Sequence, residues 1–271
     1  MEIERAQIDE SKAFNAQDIN KIHIDTASTD INIISTDEEE IGVHFYGEVS
    51  TNKKMELPSL IAYESGDELR IGINQPKIIL VGISIWNINL DVYVPKDSIE
   101  TLKIDTVSSN TSISDLKVNE FIFKTVSGDF HGESLFASDL KLGLTSGNVN
   151  LKNYTGNIDI KVISGDVVLE DGNQNDNIEI VTTSGNVYVE QEDSSNMNIS
   201  TTSGDVEINF SEDAQFYLKA KTVSGDVGNR FPITITSTSE RYLEGIVGSD
   251  EKKINISTTS GNVDIISKNL K

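Results

Sequence analysis

Three histidines and 44 acidic residues offer most of the side chains suited to acid–base or metal chemistry, since the chain has no cysteine. His23, His44 and His131 stand far apart and form no His-x-x-x-His spacing, so each reads as a strand or surface residue. Carboxylate pairs are abundant, but a glycoside-cleaving pair is defined by its separation in space, and this composition supplies pairs at every sequence spacing. No nucleophile beside a base stands out, so the chain reads as noncatalytic and as using no cofactor. A polysaccharide-acting enzyme remains an alternative, because some β-helical proteins cleave such polymers.

The remaining candidate chemistry lies in a repeat. Ser-Gly-Asp or Ser-Gly-Asn followed by Val or Phe occurs seven times, at Gly128-Asp129, Gly147-Asn148, Gly165-Asp166, Gly185-Asn186, Gly204-Asp205, Gly225-Asp226 and Gly261-Asn262. A shortened copy, Gly156-Asn157, lies nine residues from both Gly147 and Gly165. Acidic turns at this step raise the possibility of calcium. The calcium-binding β-roll, however, needs several glycines per turn and converging aspartates. Here each turn has one glycine, and Asn148, Asn157, Asn186 and Asn262 are neutral. The pattern instead predicts structural corners, because glycine accepts positive φ freely and Asp or Asn bonds back to nearby backbone.

The elements carrying these corners follow from their spacing. The first six glycines of the repeat lie 18 to 21 residues apart, a period that marks stacked units. From Leu140/Leu142 to Phe216/Leu218, apolar-x-apolar doublets recur every 9 to 11 residues. Each predicts a short strand with one buried face, so two strands make a rung of about twenty residues. The expected buried ladder runs Val149, Val167, Val187, Val206, Val227 and Val263, with Leu151, Leu169, Val189, Ile208 and Ile265 alongside. Thr-x-Ser pairs such as Thr182/Ser184 and Thr201/Ser203 predict hydroxyl rows on an outer face, a surface suited to glycan or ice but short of aromatics. Ser109-Asn110 reads as a worn first corner, and Thr29-Asp30 resembles another with threonine in the glycine position.

Upstream, residues 1–20 read as a polar segment that docks around Ile8 and Phe14, residues 21–97 as a β region and residues 98–271 as the repeat domain. Longer alternating strands at Ile41–Phe45, Leu69–Ile73 and Leu90–Val94 predict an antiparallel sandwich-like cap, with a hairpin turn at Ser65-Gly66-Asp67 and a stop at Pro95. The run from Ile78 to Ile85 reads as a buried strand. Between Gly225 and Gly261 one corner is missing, and residues 230–245 read as an inserted loop or irregular rung. The fold class is all-β: a β-solenoid or β-roll of two-strand rungs behind an antiparallel β-sandwich-like N-terminal cap.

The formal charge of −22 is spread evenly, with 19 acids against 8 bases in residues 1–100 and 25 against 14 in residues 101–271. That field repels phosphate backbones, so nucleic acid is not an expected partner. A hydrophobic content of 37% suits a thin core between two sheets. No stretch reaches the length of a membrane-spanning helix. Residues Met1 to Arg5 lack the basic and apolar regions of a signal peptide, and a true start there would place the chain in the cytoplasm.

The repeated corners, preceded by Leu90-Asp91-Val92-Tyr93-Val94-Pro95-Lys96, resemble a bacterial adhesin-like family with a Gly-Asp repeat, the domain of unknown function 4097, over about residues 20–267. The resemblance implies an all-β stack and a location at the cell envelope or cell surface, where the chain would bind a protein or glycan. It supplies no catalytic residues to carry over. A scaffold for envelope-stress signalling through protein contacts is the alternative of a different class.

Overall fold

In the computed structural model the described residues are 4–51, 56–75, 84–173, 176–192 and 194–268. The chain is all-β, and a three-residue 3-10 turn, Ala16–Asp18, is the one helical element among them. No helix there is long and apolar enough to cross a membrane, which says nothing of a β-barrel. The chain divides into two compact units, Met1–Gly128 and Asp129–Lys271.

The first unit holds β1 (Glu4–Asn15), β2 (Lys21–Thr26), β3 (Asp30–Thr36), β4 (Glu40–Thr51), β5 (Ser59–Ser65), β6 (Glu68–Asn74), β7 (Ser84–Pro95), β8 (Thr101–Ser108) and β9 (Thr111–Ser127). The polar leader is a full strand: β1 pairs antiparallel with β4 along its length and buries Ile8. Antiparallel pairing also joins β4 to β7 and β5 to β6, where Gly66 turns the hairpin at φ 66°. The inner strands run parallel instead, β2 with β6 and β8, β3 with β7 and β9, and β8 with β9. Rung order therefore begins at Ile22 and Ile31, inside the cap expected to be antiparallel. The run from Ile78 to Ile83 lies outside the described residues.

The second unit holds β10 (Phe130–Ser146), β11 (Val149–Ser164), β12 (Val167–Gly172), β13 (Asn177–Ser184), β14 (Val187–Gln191), β15 (Asn196–Ser203), β16 (Val206–Phe210), β17 (Phe216–Ser224), β18 (Val227–Arg230), β19 (Thr234–Ser239), β20 (Tyr242–Val247), β21 (Lys253–Ser260) and β22 (Val263–Ser267). A first sheet stacks the ends of β10 and β11 with β13, β15, β21 and β17 in parallel, then adds β20 and β19 antiparallel. A second parallel sheet stacks the starts of β10 and β11 with β12, β14, β16, β22 and β18. Alternation turns every second side chain inward, as in β13, where Ile178, Ile180 and Thr182 are buried and the intervening residues are exposed.

The valine ladder forms in a different order from that expected. Val149, Val167, Val187 and Val206 pair in sequence, but Val206 then meets Val263, and Val263 meets Val227. The last rung, β21 with β22, inserts between two earlier ones. The displaced rung, β17 with β18, lies outermost, and the residues read as an irregular insertion form the β19–β20 hairpin beside it. Phe210, Phe216 and Phe231 pack together at this end, with ring centroids 4.5 Å apart for the first pair and 5.6 Å for Phe216 and Phe231.

Candidate functional site

The repeated corners are built by backbone stacking. Gly185 has φ 145°, and a Cβ there would lie 1.9 Å from the carbonyl oxygen of Gly165. Gly165 stacks in the same way on Gly147, Gly204 on Gly185, Gly261 on Gly204, and Gly225 on Gly261. Gly128 meets the Ser109 carbonyl, so Ser109 does occupy a corner, and Gly156 meets Ala137 on the opposite edge of the rung. Sequence alone shows the positive φ preference but not this second constraint.

Beside the glycines runs a spine of carboxylate and amide oxygens. The backbone N–H groups of Asn148, Asp166, Asn186, Asp205, Asn262 and Asp226 donate respectively to Oδ1 of Asp129, Asn148, Asp166, Asn186, Asp205 and Asn262, at 2.7–3.1 Å. These oxygens point along the stack into backbone donors instead of converging on a point. Asn157 belongs to a separate amide row, donating to Asp139 and accepting from Asn177. Among the described residues no group of three His, Asp or Glu side chains is placed to hold a metal ion.

The threonines of the Thr-x-Ser pairs face inward, contrary to the outer rows expected. Thr125, Thr182, Thr201, Thr222 and Thr258 are buried. Thr222 donates to the Gly261 carbonyl at 2.9 Å, and Thr182 donates to Thr201 at 2.8 Å. Each strand continues through the serine, but strict alternation ends at the threonine: the two residues that follow it are both exposed. These threonines close the inner side of the corners.

A different polar array occupies the outer surface of the first sheet. In register, Glu179 lies beside Asn198, Asn255 and Lys219, and Val181 lies beside Ser200, Ser257 and Lys221. Thr183, Thr202, Thr259 and Val223 are exposed at the ends of the same four strands. Between Glu179 and the two lysines the face consists of amides, hydroxyls and one valine, with strands about 4.8 Å apart. The second sheet turns outward Glu170, Glu190, Glu207 and Asp264, all half-buried. The first sheet instead carries charges of both signs towards its edges, Asp159, Lys161 and Glu179 on one side and the lysines of β17 on the other, and its middle is uncharged.

At the end of that surface lie two tyrosines that sequence reasoning missed. Tyr217 on β17 and Tyr242 on β20 both donate to the carboxylate of Glu244. Those two hydrogen bonds hold Glu244 below the usual carboxylate range. The bond to Glu244 also pushes the Tyr242 phenol up to about 12. The Lys219 ammonium lies 6.0 Å from the centre of the Tyr242 ring. Lys219 faces Glu244 in register, Lys221 faces Tyr242, and Lys253 on β21 faces Tyr217. The signal was present as Tyr217-x-Lys219-x-Lys221, an outward alternation within an apolar strand, but the partner Tyr242-x-Glu244 lay in residues read as an inserted loop or irregular rung.

A Tyr188–Glu190–Lys268 group lies on the acidic face, where burial, with help from Glu190, pushes Tyr188 up to about 12. Lys268 pairs with Glu190 at 2.8 Å. Inside the core, Ser195 donates to Gln191 at 2.8 Å and Gln191 donates to the Tyr154 hydroxyl at 3.3 Å. Burial raises the Tyr154 pKa. Both groups are accounted for by packing and ion pairing. An open cavity of about 360 Å³ is lined by three serines with Glu192, Asp213, Glu251 and Lys252; Ser211 donates to the Glu192 carbonyl, and Ser194 and Ser249 accept from the backbone N–H groups of Gln215 and Glu251.

These features define an all-β protein of stacked two-strand rungs. The chain belongs to the Toastrack DUF4097 family, whose model matches residues 19–266. No curated protein sequence matches it. Among solved structures it is similar to a "putative cell adhesion protein" from Clostridium sporogenes, at 13% identity and TM-score 0.30, covering 97% of this chain and 100% of that one. A "putative adhesin" from Bacteroides fragilis gives 10% identity and TM-score 0.39, covering 96% and 97% respectively. One from Parabacteroides merdae gives 13% and 0.28, covering 95% and 96%.

Proposed function

We propose that the chain is a noncatalytic binding protein of the bacterial cell envelope whose second unit offers the outer surface of β13, β15, β21 and β17 to an extended glycan. The observation that carries this reading is the amide and hydroxyl array in the middle of that face, set in a chain of net charge −22. Asn198, Ser200, Asn255 and Ser257 place donors and acceptors at a regular strand spacing, which suits a polymer with repeating hydroxyls. Tyr217 and Tyr242 add the aromatic surface that a sugar-binding face commonly needs. Placement at the envelope rests on the resemblance to an adhesin-like family.

The test is an array of glycans and extracellular matrix proteins probed with the purified chain and with a Ser200→Arg/Ser257→Arg variant. Both serines face outward, so the variant keeps its fold while its long side chains obstruct the array. Glycan signals that disappear in the variant support the reading. Signals confined to matrix proteins, or no signal at all, overturn it. Cell fractionation tests the envelope placement separately.

A further inference from the structure

The tyrosines at the end of the outer face are surrounded by positive charge. Lys219, Lys221 and Lys253 are exposed on β17 and β21. Three of the chain's 22 basic residues thus gather around two phenols and one carboxylate. That carboxylate, Glu244, already accepts both phenolic protons. It fixes the rings; Lys219 lies over the Tyr242 ring and opposite Glu244, and Lys221 and Lys253 are exposed beside them.

From this geometry we infer that the patch is a subsite for a carboxylate-bearing sugar residue, making the ligand a mostly neutral glycan with an acidic sugar of the uronic or sialic acid kind. The inference rests on the glycan reading above and specifies the ligand class. Aromatic rings accept the apolar face of a sugar, and ammonium groups on the same surface pair with its carboxylate through charge-assisted hydrogen bonds. The position of the patch restricts the rest of the ligand. Towards β13 the array is uncharged and then meets Glu179 and, next to it on β11, the Asp159–Lys161 ion pair, and the neighbouring corners carry Asp166, Asp205 and Asp226. A polymer charged at every unit would leave the patch and enter a repulsive field, since charges interact over about 8 Å at physiological salt. A chain with an isolated carboxylate meets attraction at one point and hydrogen-bonding groups beyond it.

The test uses matched oligosaccharide pairs, each a uronic- or sialic-acid-containing glycan and its carboxyl-reduced neutral form, titrated into the full chain by calorimetry. The wild type is expected to bind the acidic member about 10-fold more tightly, the scale of one charge-assisted hydrogen bond. Lys219→Gln/Lys221→Gln is expected to abolish that preference, with unchanged thermal unfolding. Lys221→Glu, placed on the same exposed site, should invert the preference. Equal binding of both members by the wild type, or a preference that survives the lysine changes, overturns the subsite and leaves the glycan reading intact. Equally tight binding of a sulfated polymer or single-stranded DNA also overturns it, in favour of general anion attraction. No binding to either member of any pair overturns both readings.

Discussion

Replacing Gly185 with alanine is expected to destabilise the second unit by about 4–6 kcal/mol, and the stack supplies each part of that sum. A φ of 145° is strained for any residue with a Cβ, at about 1–3 kcal/mol. The new Cβ would lie 1.9 Å from the Gly165 oxygen and 2.6 Å from its carbonyl carbon, so adjacent rungs must separate by more than about 1 Å to restore ordinary contact. That movement breaks the ladder on both sides of the corner, where Gly165 N–H donates to Ser184 at 3.0 Å and Val167 N–H to Asn186 at 2.9 Å. The Asn186 N–H bond to Asp166, at 2.7 Å, stretches with them. Three bonds at about 1 kcal/mol each complete the estimate. Gly66→Ala is the control, because Gly66 has φ 66° but nothing within 4 Å of its Cβ position, so it loses only about 1–2 kcal/mol. Urea unfolding followed by circular dichroism, with hydrogen exchange to locate the opening, separates the two. If both variants fall within 1 kcal/mol of each other, the carbonyl stack is not what requires glycine.

Val187→Asp is expected to lose more than about 3 kcal/mol by placing a charge in the valine ladder, and Tyr188→Asp only about 1, because Tyr188 faces outward; thermal unfolding compares them. Asn262→Asp sets a third carboxylate between Asp205 and Asp226, and two repulsions at about 4.8 Å in water amount to about 1–2 kcal/mol. That loss should be present at pH 7 and vanish below about pH 4, as the carboxylates take up protons. The raised Tyr154 pKa stabilises the fold fully below the ordinary phenol pKa of about 10 and is lost as pH rises beyond it. Tyr154→Phe should therefore flatten the fall in stability between about pH 10 and 12, while losing about 1 kcal/mol at pH 8 from the unpaired Gln191 amide. In a spectrophotometric titration, Tyr242→Phe should remove one phenol that ionises near 12.

Much of the second unit was readable because its constraints are local. The glycine corners, the doublets and the buried faces each need only a few neighbouring residues, and their period supplied the rest. Inward and outward facing failed for the Thr-x-Ser pairs because period-two alternation breaks at the strand end, where the two residues after each threonine are both exposed. The face around Tyr217 was hidden for a different reason. Tyr242 and Glu244 reach it through the β20 hairpin, and antiparallel pairing with β17 across about 25 residues of chain leaves no repeat to find. In the first unit, parallel pairing of β2 with β8 joins Ile22 to Leu102, a separation too long for any local pattern to reveal.

The inserted last rung has its own logic, which the corner residues make visible. Read along the chain they run Asp129, Asn148, Asp166, Asn186, Asp205, Asp226, Asn262, and the alternation of acid and amide fails at Asp226. Read through space, Asn262 stands between Asp205 and Asp226, and every carboxylate in the spine has an amide next to it. Stacking β17 directly on β15 would instead place two carboxylates side by side in one hydrogen-bonded row. The core favours the same order. Where other rungs carry Leu151, Leu169, Val189, Ile208 or Ile265, β18 has Asn229, which bonds its own side chain to the Phe231 backbone. Beside Ile199 and Ile256, β17 has Ala220, and the space at that end is filled by Phe216 and Phe231. A rung with these substitutions would leave a polar group and a void in the middle of the ladder, but at the outer end it meets an aromatic plug and a hairpin. Charge alternation and core composition thus independently place β21 and β22 inside and β17 and β18 outside. That arrangement also brings Lys219 and Lys221 to the edge where Tyr242 can join them.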